Sequence, residues 1–467
     1  MSLAPFRKLL TAGKPRRPHG SDRQARRYRP QADALESRLL PSVFMVDDDR
    51  VQCPNAQFTS INAAIAAARP GDTIEVCPGQ YNESVQVNKT LKIVAHPGEA
   101  DANPTRTPNP TRDAIVQPPA ANLSGFLVTA NDVVINGFVV QGATDNAGIN
   151  LDRQHSGYRI EDNLLRDNTF GIYLNSNGQR TTRIDDNAFV KNNRAGAASG
   201  NGIYSDQGVS NARVTDNFFT GQTNAAMIFV GDSTLSPTQD QFNLRIEDNQ
   251  LKQDAPIIFI NAHDSSISHN VSIGSVGSGI FFGGNVRRFV VTHNVLKDGA
   301  FTGINLRSDP ADYGPGAAAP DTDNRISHNT ISGFGDSGIR LREGAARNRV
   351  DHNTVVDNGK AGDPTTGDGI SLENAQNNEI SHNRALRNRR DGIRVDSLSR
   401  GNRIVHNTML DNGGFDARDD STGTGTAGTA NTWDHNFCET ESRPGLCEHH
   451  HHGDGADDDD DDDDDRG

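Results

Sequence analysis

Residues 369–407 read GISLENAQNNEISHNRALRNRRDGIRVDSLSRGNRIVHN, and this stretch contains two copies of one unit. Each copy begins with Gly, Ile, any residue and an aliphatic residue. It ends with an aliphatic residue, two further residues and Asn, so that Asn383 and Asn407 are 24 residues apart. Units of this length that cannot bury a hydrophobic face alone are typical of a solenoid.

The unit continues along the chain in both directions. Its Asn recurs at positions 163, 187, 217, 249, 270, 294, 329, 353, 383, 407 and 436, with insertions that lengthen some units. Short β-branched segments alternate with Gly, Asn and Asp, which tolerate the left-handed backbone of tight bends. The sequence therefore predicts an all-β fold, a right-handed parallel β-helix (a single-stranded β-solenoid), with these Asn residues stacked at one corner.

Both ends of such a rod need covers, because an open sheet edge pairs with other chains. Phe58, Ile61, Ala64, Ile65 and Ala68 have helical spacing and predict an N-terminal capping helix over residues 58–68. The expected organisation is a basic targeting or disordered segment (1–42), the β-helix (43–447) with an N-cap (43–95) and a C-cap (431–447), and a disordered His- and Asp-rich tail (448–467).

The four cysteines form two close pairs, Cys53 with Cys77 and Cys438 with Cys447, near the two ends of the predicted rod. Such spacing predicts two disulfide bonds and an oxidising compartment. The alternative is four buried free thiols.

Charge and hydropathy exclude two classes of partner. The chain carries 46 Lys and Arg against 61 Asp and Glu, a net charge of −15, and an acidic body argues against nucleic acid. The sequence has no apolar run of the ~18 residues that a membrane span needs. We expect an extracellular or cell-surface protein. The sequence does not predict its oligomeric state.

The first part of the predicted rod resembles a known superfamily. Ala63-Ala64-Ile65, Pro70-Gly71-Asp72-Thr73-Ile74 and Pro78-Gly79-Gln80-Tyr81 resemble the entry segment of pectin-lyase-like β-helix proteins. The repeats are similar to those of the periplasmic accessory β-helix proteins of nitrous oxide reductase. This resemblance implies the fold, whereas the superfamily includes lyases, hydrolases, epimerases, esterases and binding proteins.

A candidate ligand surface follows from strand geometry. In the Gly-Ile-x-Leu phrase the two aliphatic side chains point inward, so residue x points outward. Successive outward positions include Tyr173, Tyr204, Phe281, Asn305 and Arg394, and Asp206 lies in the neighbouring column. Aromatic rings stack on sugars and Arg pairs with carboxylates, so we expect a polysaccharide, and in particular an acidic glycan, in a groove walled by the larger insertions. A solvated face with incidental aromatic residues is the alternative.

Catalysis is a further hypothesis for the same face. The resemblance implies that a lyase of this fold would use an Arg base with a Ca²⁺ ion held by carboxylates, whereas a hydrolase needs two carboxylates. The candidate residues are Arg307, Arg340, Arg342, Glu373 and Asp396. No other cofactor is implied.

Seven of the repeated Asn residues are directly preceded by His, and the first four by Asp. We expect these histidines to be turn residues, because parallel side chains in a ladder do not converge on one metal ion. No metal site is therefore predicted.

Three functions remain open from the sequence. The first is a protein that binds, and in addition processes, a polysaccharide. The second is a structural or adhesive surface solenoid without enzymatic activity. The third is an accessory factor in metal maturation.

Overall fold

A computed structural model describes residues 41–96, 107–231, 240–308, 310–313, 315–360, 362–363 and 365–448. Nearly every regular element is a short strand, and the strands form three long parallel sheets, A, B and C. The repeat explains this arrangement, because each unit contributes one strand to each sheet and the next unit pairs in register upon it. The predicted right-handed parallel β-helix is confirmed.

Sheet A has 16 strands. They are Val43–Val46, Thr73–Val76, Lys92–Ala95, Val134–Asn136, Arg159–Glu161, Thr182–Asp185, Val209–Thr215, Gln241–Glu247, Ala262–His263, Ser266–Ser268, Val290–Thr292, Arg325–Ser327, Arg349–Asp351, Glu379–Ser381, Arg403–Val405 and Thr432–Asp434.

Sheet B has 14 strands. They are Gly79–Tyr81, Ala114–Val116, Val139–Gln141, Leu164–Arg166, Ala188–Val190, Phe218–Thr220, Gln250–Lys252, Val271–Ile273, Val295–Lys297, Thr330–Ser332, Thr354–Val356, Arg384–Leu386, Thr408–Leu410 and Phe437–Cys438.

Sheet C has 13 strands. They are Val85–Val87, Phe126–Val128, Ala147–Leu151, Phe170–Leu174, Asn201–Ser205, Ala225–Val230, Ile257–Ile260, Ile280–Phe282, Ile304–Leu306, Ile339–Arg342, Ile370–Glu373, Ile393–Val395 and Ala417–Asp419.

The predicted capping helix covers the N-terminal end as Ile61–Ala67, slightly shorter than expected. Both of its ends are held by the first rung. Glu83 accepts hydrogen bonds from the backbone N–H groups of Ile61 and Asn62 at 2.9 and 3.0 Å, and Lys89 donates to the carbonyl of Ile65 at 2.8 Å. A carboxylate at a helix N-terminus and an ammonium at its C-terminus both complement the helix dipole.

Three short helical segments complete the described structure. They are the α-helix Pro310–Tyr313 and the 3₁₀ helices Pro315–Ala318 and Thr426–Gly428. No helix of the described residues is long and apolar enough to cross a membrane. The predictions for the termini fall, apart from residues 41, 42 and 448, outside the described residues.

The asparagine column forms one hydrogen-bonded ladder, as the sequence predicts. From Asn163 to Asn407, each side-chain Nδ2 donates to Oδ1 of the Asn in the following rung and to a carbonyl of the preceding rung, and Asn436 at the end donates only to the carbonyl. Asn329, for example, donates to Asn353 Oδ1 at 3.0 Å and to the Val291 carbonyl at 3.0 Å. The ladder therefore pairs buried backbone groups that would otherwise lack partners.

The glycines of the Gly-Ile phrase serve a different purpose from the one expected. They do not have positive φ; the left-handed residues lie at other positions of the repeat, among them the Asp or His before each ladder Asn, such as His328 at φ 58°. At Gly303, a Cβ atom would lie 2.5 Å from the carbonyl oxygen of Gly338 in the next rung. Glycine is required there because two backbones approach closely.

The structure pairs Cys53 with Cys77 and Cys438 with Cys447, as expected, and the described chain has no free cysteine. One bond lies in the N-terminal cap, and the other closes the last rung beside Trp433. Two such bonds indicate an oxidising compartment.

Candidate functional site

The outward positions of sheet C form one continuous row in the observed strand register, which we call the outer row. Each residue pairs with the next across neighbouring strands. The row consists of Asn150, Tyr173, Tyr204, Ile228, Ile258, Phe281, Asn305, Arg340, Ser371 and Arg394. The alternation of inward and outward residues in the sequence predicted this order.

The tyrosine end of the outer row is fixed by Asp206. The rings of Tyr173 and Tyr204 stack with centroids 5.8 Å apart and planes 18° apart. Both hydroxyls donate to the Asp206 carboxylate, at 2.5 and 2.9 Å. Burial and then Asp206 raise the pKa of both phenols, so both stay protonated. The result is a rigid, half-buried aromatic surface.

The middle of the outer row is covered, which differs from the open groove expected from sequence. Ile228 and Ile258 point outward, yet each is only 4% exposed. They cluster with Ala317, which belongs to the insertion after Leu306 and is itself fully buried. Phe281 packs against the same cluster. The insertion therefore lies over the apolar part of the row instead of only walling it.

The arginine end of the outer row is already ion-paired. Arg340 donates to Asp336 at 2.6 Å and to Glu373 at 2.8 Å, and Arg342 lies 3.1 Å from the same Glu373 carboxylate. Arg307 lies 3.6 Å from Glu343. The candidate catalytic residues Arg307, Arg340, Arg342 and Glu373 thus come together, but each arginine faces a carboxylate.

A second balanced cluster follows in the next rungs. Arg394 lies 3.3 Å from Asp420, and Arg418 lies 3.0 Å from the same carboxylate. Arg394 and Arg390 also approach the buried Asp391, at 3.9 and 3.6 Å. The arginine end of the row consequently presents little uncompensated positive charge to an acidic ligand.

Two other predicted site residues have local structural contacts. Asp396 does not join the arginine cluster: its carboxylate accepts hydrogen bonds from the backbone N–H groups of Asn374, Leu398 and Ser399 and from the Ser399 hydroxyl. It caps the turn that follows its strand, because an Asp two or three residues before free N–H groups forms such a turn. Asn305 is 9% exposed and lies beside the covered part of the row.

Two cavities lie at opposite ends of the strands that carry the tyrosines. The one before these strands has a volume of about 460 Å³ and is lined by Gln117, Gln141, Gly142, Asp167, Lys191, Asn193 and Arg194. The one after them has a volume of about 370 Å³ and is lined by Arg153, Gln154, Ser176, Asn177, Ser210, Asp240 and Phe242. Sequence reasoning missed both, because most of their residues lie in turns or at the ends of strands, outside the repeated phrases.

A histidine with two carboxylate partners adjoins the second cavity. His263 contacts Asp240 through Nε2 at 3.1 Å and Asp264 through Nδ1 at 2.6 Å, and its ring stacks on Phe242 with centroids 5.4 Å apart. Arg288 binds Asp264 with two hydrogen bonds, and this pairing lowers the pKa of Asp264 to about 2. Because Asp264 holds one nitrogen of the His263 ring, the other nitrogen is positioned to contact Asp240, which lines the cavity.

Two groups of possible metal ligands occur among the described residues. Asp47, Asp48 and Asp49 form one carboxylate group, but Asp47 and Asp48 accept backbone hydrogen bonds from Cys53 and Gln80 within the N-terminal cap. The group around Glu441 includes the two cysteines of the second disulfide bond. Neither group lies on the outer row, so the Ca²⁺ ion implied by the lyase resemblance stays a prediction.

Comparisons with known proteins agree with the fold. A family described as right handed beta helix region matches residues 311–432. A family described as periplasmic copper-binding protein (NosD) matches residues 198–365. None of the curated proteins matches the chain.

Solved structures resemble the whole solenoid at low sequence identity. A PL6 alginate lyase in complex with a trisaccharide is 13% identical, with 80% of this chain and 86% of that chain covered and a TM-score of 0.51. The periplasmic alginate epimerase AlgG is 12% identical, with 79% of this chain and 77% of that chain covered and a TM-score of 0.49. A tailspike protein of E. coli bacteriophage HK620 in complex with a pentasaccharide is 11% identical, with 81% of this chain and 72% of that chain covered and a TM-score of 0.48. The parallel sheets and the family match over residues 311–432 agree that the chain has the right-handed parallel β-helix fold.

Proposed function

We propose that this protein binds a polysaccharide outside the cytoplasm, on the outer face of sheet C around Tyr173 and Tyr204. The observation that carries the proposal is the stacked tyrosine pair, held by Asp206, with a cavity at each end of the same strands. Rigid aromatic faces pack against the apolar face of a sugar ring at low entropic cost. The tyrosines would thus form the centre of the binding surface.

The two cavities supply the polar contacts that sugars require. Gln117, Gln141 and Asn193 line the first, and Gln154 and Asn177 line the second. Amide side chains both donate and accept, which matches the paired donor and acceptor character of sugar hydroxyls. A glycan that crosses the tyrosines along the strand direction would reach both cavities. The PL6 alginate lyase of the same fold is complexed with a trisaccharide, which is compatible with this proposal.

An acidic glycan would need cationic side chains that are not already neutralised. Arg340 and Arg394 are neutralised by neighbouring carboxylates. Among the described residues, Lys191 in the first cavity and Arg153 in the second have no carboxylate partner. We therefore propose Lys191 and Arg153, in place of Arg394, as the residues that contact the carboxylates of such a glycan.

A glycan array followed by calorimetric titration of the best neutral and acidic hits tests this proposal. Tyr173→Ala with Tyr204→Ala should weaken binding of both glycans at least tenfold, because stacking does not depend on ligand charge. Phe301→Ala is the matched control, since this aromatic side chain is 61% exposed and lies outside the outer row. Circular dichroism checks that each variant is folded.

The charge assignment has its own variants. Arg153→Ala with Lys191→Ala should weaken the acidic glycan several times more than the neutral one, and added salt should act in the same direction. Arg183→Ala with Arg213→Ala removes two exposed arginines from sheet A and should leave both affinities unchanged. A wild-type protein that binds no glycan on the array would contradict the proposal and favour the structural or adhesive solenoid.

A further inference from the structure

The second feature of interest is a column of seven imidazoles on one edge of the rod, which we call the histidine column. Its members are His269, His293, His328, His352, His382, His406 and His435, and all are exposed. Neighbouring ring centroids are 4.8–5.1 Å apart, and the first five rings are nearly parallel. This spacing follows from the distance between stacked strands.

Backbone conformation explains only part of this column. Every member has a φ between 51° and 58°, a conformation in which Asn, Asp and His are enriched. In the four preceding rungs the same position is Asp162, Asp186, Asp216 and Asp248, also with positive φ. The turn therefore accepts a carboxylate equally well, and it does not account for seven successive imidazoles.

In two members of the column, Nδ1 faces the carboxylate of the preceding residue. Nδ1 of His352 lies 3.0 Å from the Asp351 carboxylate, and Nδ1 of His435 lies 2.8 Å from Asp434. Asp351 is fully buried and also accepts two hydrogen bonds from Arg325, so it stays an anionic acceptor. A neutral imidazole that donates through Nδ1 carries its lone pair on Nε2, which is the arrangement found behind many metal-bound histidines.

Geometry restricts each ion to two neighbouring imidazoles. Metal–nitrogen bonds of ~2.0–2.1 Å require the two nitrogens to lie within roughly 4 Å of each other. Exposed rings can tilt toward each other, and the rings of His382 and His406 already differ in plane by 35°. Among the described residues, no three members of the column converge on one point.

We propose that the histidine column binds borderline divalent transition-metal ions, of the class of Ni²⁺, Cu²⁺ and Zn²⁺, through pairs of imidazoles from successive rungs. Imidazole nitrogens suit this class, whereas Mg²⁺ prefers oxygen ligands. Seven side chains make three pairs that share no ligand, so the column holds up to three ions. This inference does not depend on the proposed glycan site.

The test is a calorimetric titration of the full chain with NiCl₂ near neutral pH, and MgCl₂ is titrated in parallel. Because His449, His450, His451 and His452 would also bind Ni²⁺, they are changed to Asn in every sample. This tail variant should bind three Ni²⁺ ions at micromolar affinity and no Mg²⁺ in the same range. Absence of Ni²⁺ binding, or equal binding of both metals, would overturn the proposal.

A second variant in the same background locates the ions. His328→Asn, His352→Asn and His382→Asn leave the two outer pairs intact, so the number of bound Ni²⁺ ions should fall from three to two. Asn tolerates the positive φ at these positions, so the fold should be retained, as circular dichroism can show. His96→Asn with His155→Asn removes two histidines outside the column and should change nothing. An unchanged number of ions in the column variant would also overturn the proposal.

Discussion

The asparagine ladder offers the sharpest test of what holds the rod together, through the substitution Asn329→Ala at its centre. Oδ1 of Asn329 accepts from the backbone N–H and from Nδ2 of Asn294, at 3.0 and 2.9 Å. Its Nδ2 donates to the carbonyls of Val291 and Ser327 and to Oδ1 of Asn353. Alanine removes all of these hydrogen bonds and fills none of the vacated space.

The expected loss follows from the number of bonds. Five buried hydrogen bonds at a net ~0.5–1.5 kcal/mol each give roughly 3–7 kcal/mol. Asn353 Oδ1 keeps its bond from the backbone N–H of residue 329, so we expect the lower part of this range, about 3–5 kcal/mol. The rungs of a solenoid contact only their neighbours, so the loss should be local.

Urea denaturation measures the change in the free energy of unfolding, and amide hydrogen exchange shows where it occurs. The amide of Asn294 should lose protection, whereas amides near the N-terminal cap should not. His328→Asn is the matched control, because it changes the exposed neighbour and retains the ladder, and it should cost less than ~0.5 kcal/mol. The reasoning fails if Asn329→Ala costs less than ~1 kcal/mol.

Three further predictions concern stability. Burial raises the pKa of Asp254 to about 7, so this group contributes a loss of stability as the pH rises from about 4 through 7. In thermal melts, Asp254→Asn should therefore stabilise the protein increasingly between about pH 4 and pH 7 and by a constant amount above that. Cys438→Ser with Cys447→Ser should destabilise the C-terminal rung by ~2–3 kcal/mol. Non-reducing mass spectrometry checks the bond in the wild type, and limited proteolysis should cleave the C-terminal end of the variant faster; equal cleavage of both proteins would contradict the prediction. Gly303→Ala should lower the melting temperature by several degrees, because its Cβ would meet the carbonyl of Gly338, and an unchanged melting temperature would show that the rungs can separate there.

Much of the fold could be predicted because each rung repeats the same pattern of apolar and polar residues. The Asn at a fixed place in each unit specifies a ladder, and the alternation around Tyr173 or Arg340 specifies which side chains face outward. Even the two disulfide bonds follow from the proximity of their cysteines in sequence. Equivalent positions of successive rungs form the same hydrogen bonds, so the sequence of one repeat is enough to predict the ladder and the outward side chains.

The candidate site could be predicted only in part, because insertions do not repeat. The sequence gives no sign that Ala317 covers Ile228 and Ile258, since this contact joins an insertion to distant rungs. Likewise, the pairing of Arg340 depends on Asp336, which lies in the turn before its strand. Asp396 was assigned to the site from its column alone, but its position beside free backbone N–H groups makes it a turn residue.

The most direct test of the central claim is a crystal structure of the protein with the tightest-binding oligosaccharide from the array. The account predicts a sugar ring stacked on Tyr173 or Tyr204, with neighbouring sugars that extend toward Lys191 on one side and Arg153 on the other. An oligosaccharide bound to sheet A or sheet B, away from the tyrosine pair, would contradict it.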